Sequence, residues 1–156
     1  MVKKILSILL AITIMASLCS CGDNSNNDAR EPNTEDTASY KIGIMTTTVS
    51  QSEESYRAAE MLQEKNPDKI VIATFPEKFA TEQETTISSA LSLATDPDIK
   101  AIIFSQAVQG TAAACQKIRE LRPDILLIAA GFQDDSATIS ANCDVFYHIN
   151  VPKMGF

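Results

Sequence analysis

The chain has 156 residues, with thirteen Lys and Arg against twenty Asp and Glu and a formal charge of −7. So acidic a balance argues against nucleic acid as a main partner, and equally against an anionic lipid surface. Four cysteines and one histidine offer no spacing that matches a metal site.

The N-terminus carries Lys3 and Lys4, an apolar run from Ile5 to Leu18, and the short stretch Leu18-Cys19-Ser20-Cys21. That order of charge, apolar core and small residues is the pattern of a secretory signal, and the run is too short for a membrane span, which needs about 20 apolar residues. A Leu three positions before a Cys, with Ser directly before it, resembles the lipobox of bacterial lipoproteins. There the thiol takes a diacylglycerol and cleavage makes the Cys the new N-terminus. Residues 1–20 are thus expected to be a signal peptide and Cys21 a lipidated anchor on the extracytoplasmic side of the cell membrane. Loss of Lys3 and Lys4 leaves eleven basic residues against twenty acidic ones, a formal charge of −9. From Gly22 to Ser39 there is no Val, Ile, Leu, Met or aromatic residue. Such a segment cannot bury enough apolar surface to offset the entropy of ordering, so residues 21–39 read as a tether with an end-to-end distance of roughly 25 Å.

From Tyr40 onward, β-branched runs alternate with stretches of helical apolar spacing. The runs Lys41–Met45, Ile70–Phe75, Ala101–Phe104, Ile125–Ala129 and Val145–Ile149 lack strict polar alternation, as expected of parallel strands covered on both faces. Ser50 with Glu53 and Thr81 with Glu84 have capping-box spacing and predict the starts of the first two helices. In the second, Ile87, Ala90, Leu91 and Ala94 fall on one stripe. A third helix is expected from about Thr111 to Leu121, burying Ala114, Cys115, Ile118 and Leu121, with a short fourth between Asp134 and Asn142. The first three end at Asn66-Pro67-Asp68, Asp96-Pro97-Asp98 and Arg122-Pro123-Asp124. Proline disfavours helical backbone in the residue before it, which turns the chain back toward the sheet. Right-handed crossovers then give a doubly wound α/β fold, a parallel sheet of about five strands in the order 2-1-3-4-5 with helices on both faces. Cys115 and Cys143 are either two buried thiols or one disulfide, a choice that turns on their distance.

In open α/β sheets the ligand lies beyond the carboxyl ends of the strands, at the switch in strand order. That rule selects Thr46, Thr47, Thr48 and Ser50 after the first strand, Ser105 and Gln106 after the third, Gly131 and Gln133 after the fourth, and Asn150 after the fifth. Hydroxyls and amides can orient an uncharged polar solute, yet they supply no general acid or base, so no catalytic residue, metal or cofactor is expected. The alternative for each residue is an ordinary loop or capping role. Phe75-Pro76 and Phe132 could form an apolar wall or belong to the core. The chain has no GxGxxG, GxxxxGK[ST] or GxSxG motif. The strongest competitor is a flavodoxin-like FMN electron carrier, because the segment from Ile42 to Ser50 looks like a strand feeding a hydroxyl-rich phosphate loop. That loop contains no glycine beyond the strand to admit backbone amides to a phosphate.

The start KIGIM, the helix entry SQSEE and the third strand AIIFSQ give residues 40–156 a resemblance to the N-terminal lobe of a type I periplasmic solute-binding protein. More closely, the chain is similar to a family of bacterial lipoproteins of that fold without an assigned function. The resemblance implies a second lobe, with Ile149–Phe156 as the first crossover toward it and the chain cut short there. It also implies closure over a small polar solute, such as a sugar or nucleoside, that is passed to an ABC-type permease or a sensor. The strand ends lack the Asp, Arg and Asn cluster that usually grips sugar hydroxyls. A surface interaction module that binds no small ligand is the remaining alternative.

Overall fold

The computed structural model describes residues 39–131 and 133–147. Five parallel strands, β1 (Lys41–Thr46), β2 (Ile70–Thr74), β3 (Ile99–Phe104), β4 (Leu126–Ala130) and β5 (Val145–Tyr147), pair in the order β2-β1-β3-β4-β5. Between them run α1 (Glu53–Lys65), α2 (Gln83–Thr95), α3 (Thr111–Leu121) and α4 (Ser136–Asn142). The fold is therefore the doubly wound α/β sheet that the spacing of strands and helices implies.

The two sheet faces are covered unequally. α1 packs on one face through Ala59 against Ile44 and Ile70. On the other face Met45, Phe75, Ile102, Phe104, Leu127 and Ala129 meet Ile87, Ala90 and Leu93 of α2, Ala114, Cys115 and Ile118 of α3, and Ile139 of α4. This larger core explains the close approach of α2 to the sheet. A Cβ on Gly43 would lie 3.0 Å from Leu93 Cδ1, so the glycine lets the helix settle against β1. On the α1 face nothing of comparable size among the described residues covers β4 and β5, and Leu126, Val145 and Tyr147 are exposed there.

Several local expectations are corrected. α1 is capped by Ser52, whose side chain accepts from the Ser55 N–H, rather than by Ser50. α2 begins after Glu82 without a side-chain cap, and Thr81 instead donates to the Lys78 carbonyl in the preceding turn. β3 starts two residues earlier than its apolar run suggests. A register shift between Lys41 and Ile42 brings Ile99 into the sheet, where it is fully buried. Leu121 is 69 % exposed rather than buried, because α3 ends there and the chain turns away at Arg122. Phe75 is fully enclosed in the core and forms no wall of an open site. The signal segment, Cys21, the tether, Phe132, His148, Asn150 and the expected crossover lie outside the described residues.

Candidate functional site

At the carboxyl edge of the sheet, two pairs of loops are fastened to each other. The first pair follows β1 and β2. Gln51 accepts from the Thr48 N–H through its Oε1 at 3.1 Å, and its Nε2 donates to the Pro76 and Glu77 carbonyls at 3.1 and 2.9 Å. Ser50 Oγ donates to Glu77 Oε1 at 2.6 Å and lies 3.0 Å from Thr48 Oγ1. These hydroxyls, Ser50 first and Thr48 second, hold the Glu77 carboxyl below its usual range. Thr47 is buried and its hydroxyl donates to the Ser52 carbonyl at 3.3 Å, which makes it a fastener of the loop entering α1.

The second pair follows β3 and β4. Ala107 donates to the Ala130 carbonyl, Gln133 N–H donates back to the Ala107 carbonyl, and Gln109 Nε2 donates to the Gln133 carbonyl. Asp134 reaches across to accept the Ala112 N–H at 2.9 Å, so a carboxylate from another loop caps α3. Gly110 precedes that helix at φ 91°, where a Cβ would meet the Gln83 carbonyl oxygen at 2.7 Å. Only glycine meets both demands. Gly131 has a positive φ of 67° and donates to the Tyr147 carbonyl.

Between these two fastened pairs lies the switch in strand order, where β1 and β3 run side by side and their chains diverge. The Ser105 N–H donates to the Met45 carbonyl at 2.9 Å, which ties the end of β3 to that of β1. Here Thr46 Oγ1 and Ser105 Oγ are buried with no hydrogen-bond partner among the described residues, and Gln109 Oε1, Thr86 Oγ1 and Thr111 Oγ1 share that condition nearby or on the flanking helices. Buried polar atoms are nearly always paired, so unpaired ones at a strand edge mark a place where a ligand or water completes the set. Gln106 is half-buried beside them.

Of the residues selected from the sequence, Thr46, Ser105 and Gln106 come together at the switch. Thr48 and Ser50 belong to the β1–β2 loop pair, Gly131 and Gln133 to the β3–β4 pair. Sequence reasoning missed Gln51, Glu77, Gln109 and Asp134, the side chains that hold the rim. Glu77 follows Pro76 directly at the end of β2, so its place on this edge was readable. Its role as acceptor for Ser50 depends on loop geometry that no local pattern encodes. Chemically the switch offers neutral donors and acceptors, and the Glu77 and Asp134 carboxylates of the flanking loops are already hydrogen-bonded. Among the described residues no group of three metal-ligating side chains occurs, and no helix is long and apolar enough to cross a membrane.

At the opposite edge of the sheet, a cavity of about 500 Å³ opens between the ends of α2 and α3, lined by Leu91, Ala94, Thr95, Leu121 and Arg122. Its single charge is engaged: Arg122 donates to the Ala94, Asp96 and Ile99 carbonyls and pairs with Asp124. An apolar groove of this kind has little with which to orient a polar solute, so the polar switch is the better candidate.

An uncharacterised protein of Treponema pallidum (strain Nichols) is 32% identical over 145 residues, covering 86% of this chain and 63% of its own length. The chain thus spans less than two thirds of that relative. The crystal structure of a protein from Clostridium difficile 630, provisionally assigned as a transcriptional regulator, superposes with a TM-score of 0.62 at 28% identity. It covers 69% of this chain, which corresponds to 33% of the regulator. Residues 40–156, from the residue before β1 onward, match the family described as "protein of unknown function (DUF3798)", and the chain belongs to that family.

Proposed function

We propose that the chain is the solute-recognising lobe of a membrane-anchored extracytoplasmic lipoprotein of the type I periplasmic binding kind. It holds a small, uncharged polar solute such as a sugar or nucleoside and presents it to an ABC-type permease or a sensor. One observation carries the reading. Among the described residues Thr46 and Ser105 have buried hydroxyls without partners at the strand-order switch, while most polar side chains of the loops on either side are engaged with each other, Gln109 Oε1 excepted. Leaving such groups unpaired costs about 1–3 kcal/mol each, a cost a bound solute would offset. The engaged Glu77 and capped α3 leave neutral chemistry for recognition rather than acid–base work. Membrane attachment rests on the residues around Cys21 alone.

An FMN carrier is disfavoured by the same geometry, since Thr48 and Ser50, the hydroxyls that would hold a flavin phosphate, already share the Glu77 carboxylate. A phosphate there would face a fixed negative charge. The likeness to one third of a transcriptional regulator supports a sensing output as the second reading.

The complete gene product should gain thermal stability from at least one compound in a panel of sugars, nucleosides and amino acids, and none from FMN. Absence of any shift across the panel would return the lobe to a ligand-free interaction role. Expressed in a lipoprotein-processing host, the protein should incorporate labelled palmitate, and Cys21→Ala should abolish the label and leave unprocessed precursor. Label that persists in Cys21→Ala would remove the anchor from the account.

A further inference from the structure

Cys115 lies in the middle of α3, fully buried, and Cys143 is the residue that ends α4 and leads into β5. Their sulfurs are 3.3 Å apart across 28 positions of sequence. Both are free thiols. A disulfide needs about 2.05 Å between the sulfurs, so a closing movement of about 1.2 Å completes the bond. We propose that Cys115 and Cys143 are a redox-active dithiol that closes into a disulfide by exchange with a disulfide oxidant, and that the bond pins α4 and the edge strand to α3.

The surroundings divide the labour between the two sulfurs. Cys143 is partly exposed, and its hydrogen-bond contact with Cys115 together with the nearby Arg119 guanidinium holds its thiol below the usual range. Cys115 is pushed far up, first by its hydrogen bond to Cys143 and then by burial. The thiolate, not the thiol, attacks a disulfide, so Cys143 is the attacking group and Cys115 the resolving one. Cys143 first gives its proton to water, and its thiolate then attacks one sulfur of the oxidant R–S–S–R. A mixed disulfide forms and one R–S⁻ leaves, taking up a proton. Cys115 then loses its proton and attacks Cys143 Sγ, forming the Cys115–Cys143 bond and releasing the second R–S⁻, which takes up that proton. Two thiols are oxidised and one disulfide is reduced to two R–SH. The oxidant class is a small-molecule disulfide or a disulfide oxidoreductase, both present where exported proteins fold.

The location gives the bond its effect. α4 has seven residues with Ile139 as its buried anchor, and β5 has three. Beside the packing of Ile139 and Cys143 in the core that α3 shares, Arg119 ties this junction to α3 by donating to the Asn142 carbonyl and to Asp144. A covalent link one turn before Arg119 on α3 would hold the same junction.

The test uses the full chain carrying Cys19→Ser and Cys21→Ser, so that the pair is the sole source of thiol, with oxidised glutathione as the oxidant. Expected are a mass loss of two hydrogens, loss of both titratable thiols in the folded protein, and a rise in Tm of about 10 °C or more that dithiothreitol reverses. Added Cys115→Ser should trap glutathione on Cys143, whereas added Cys143→Ser should leave Cys115 unmodified until the protein is unfolded. Two thiols persisting in the folded protein under excess oxidant would overturn the proposal, as would equal trapping by both single variants. The chemistry is independent of solute binding, so failure here leaves the recognition site standing.

Discussion

The two edges of the sheet use opposite chemistry. At the amino edge, charge does the fastening. Lys41 pairs with Asp96 at 2.9 Å and Asp98 at 3.5 Å, Arg122 with Asp124 at 2.8 Å, and Arg119 with Asp144 at 2.7 Å, each close to a turn that returns a helix to its strand. At the carboxyl edge the loops hold each other through amides, hydroxyls and backbone, and two buried hydroxyls beside the switch are left over. An edge whose polar groups are all matched is a structural seam. One that retains unmatched groups is built for something else to arrive.

The largest way to break this contrast is at the charged seam. Arg119 donates to the Asn142, Pro123 and Ile125 carbonyls as well as to Asp144, so Arg119→Ala strips a multi-point clamp from the α4–β5 junction. Urea unfolding of the reduced protein should show a loss of about 2–3 kcal/mol. A loss below about 0.5 kcal/mol would mean that the seam is decorative.

Acid should act on the same seam. Asp124 is held down at about 2 by the Arg122 hydrogen bond, from an ordinary 3.8. Asp96 is lowered mainly by Lys41, and Asp144 by the Leu127 N–H and then Arg119. A carboxyl with a depressed folded-state pKa contributes stability above its unfolded value, and that contribution disappears as pH falls through the folded one. Stability should therefore be flat with respect to these groups above about pH 5 and decline from about pH 4 toward pH 2. Asp124→Asn should flatten part of that decline, as followed by Tm against pH. These groups are largely solvent-facing, so the slope should shrink in high salt.

A smaller effect belongs to the carboxyl edge. Glu77→Gln keeps the shape of the Ser50 contact but removes the charge, and should lower the urea midpoint only slightly, less than Arg119→Ala does. If it instead created tight FMN binding, the hydroxyl-rich loop would have to be read as a phosphate cradle.

Much of the seam was legible in the sequence, because Pro-Asp punctuation after each of the first three helices has a local cause. Strand order followed as well, since alternating strand and helix with right-handed crossovers admits few sheets. The helix starts were less legible. Ser50 and Ser52 both precede α1 with glutamates in range, and only the loop geometry decides that Ser52 caps while Ser50 faces Glu77. In the candidate site the right strands were identifiable, but which hydroxyl is engaged and which is left over was not. Thr46 and Thr47 are neighbours of the same type, yet one hydroxyl has no partner and the other donates to Ser52. That distinction arises where the chain leaves the sheet: Thr46 ends β1, whereas Thr47 already belongs to the loop that turns back toward Ser52. The approach of Cys143 to Cys115 likewise needed the packing of α4 on α3, which no spacing rule contains.

The central claim is that the switch keeps Thr46 and Ser105 unpaired for a solute, and paired measurements on the complete gene product test it most directly. Thr46→Val and Ser105→Ala remove hydroxyls that have no partner, so the double variant should be more stable than the parent in urea, by about 2 kcal/mol or more, less any packing lost at Ser105. In calorimetric titration with whichever panel compound stabilises the parent, the same variant should bind at least about tenfold more weakly, equivalent to about 1.4 kcal/mol. A variant that is destabilised yet binds as tightly as the parent would show that these hydroxyls serve the fold, and would contradict the account.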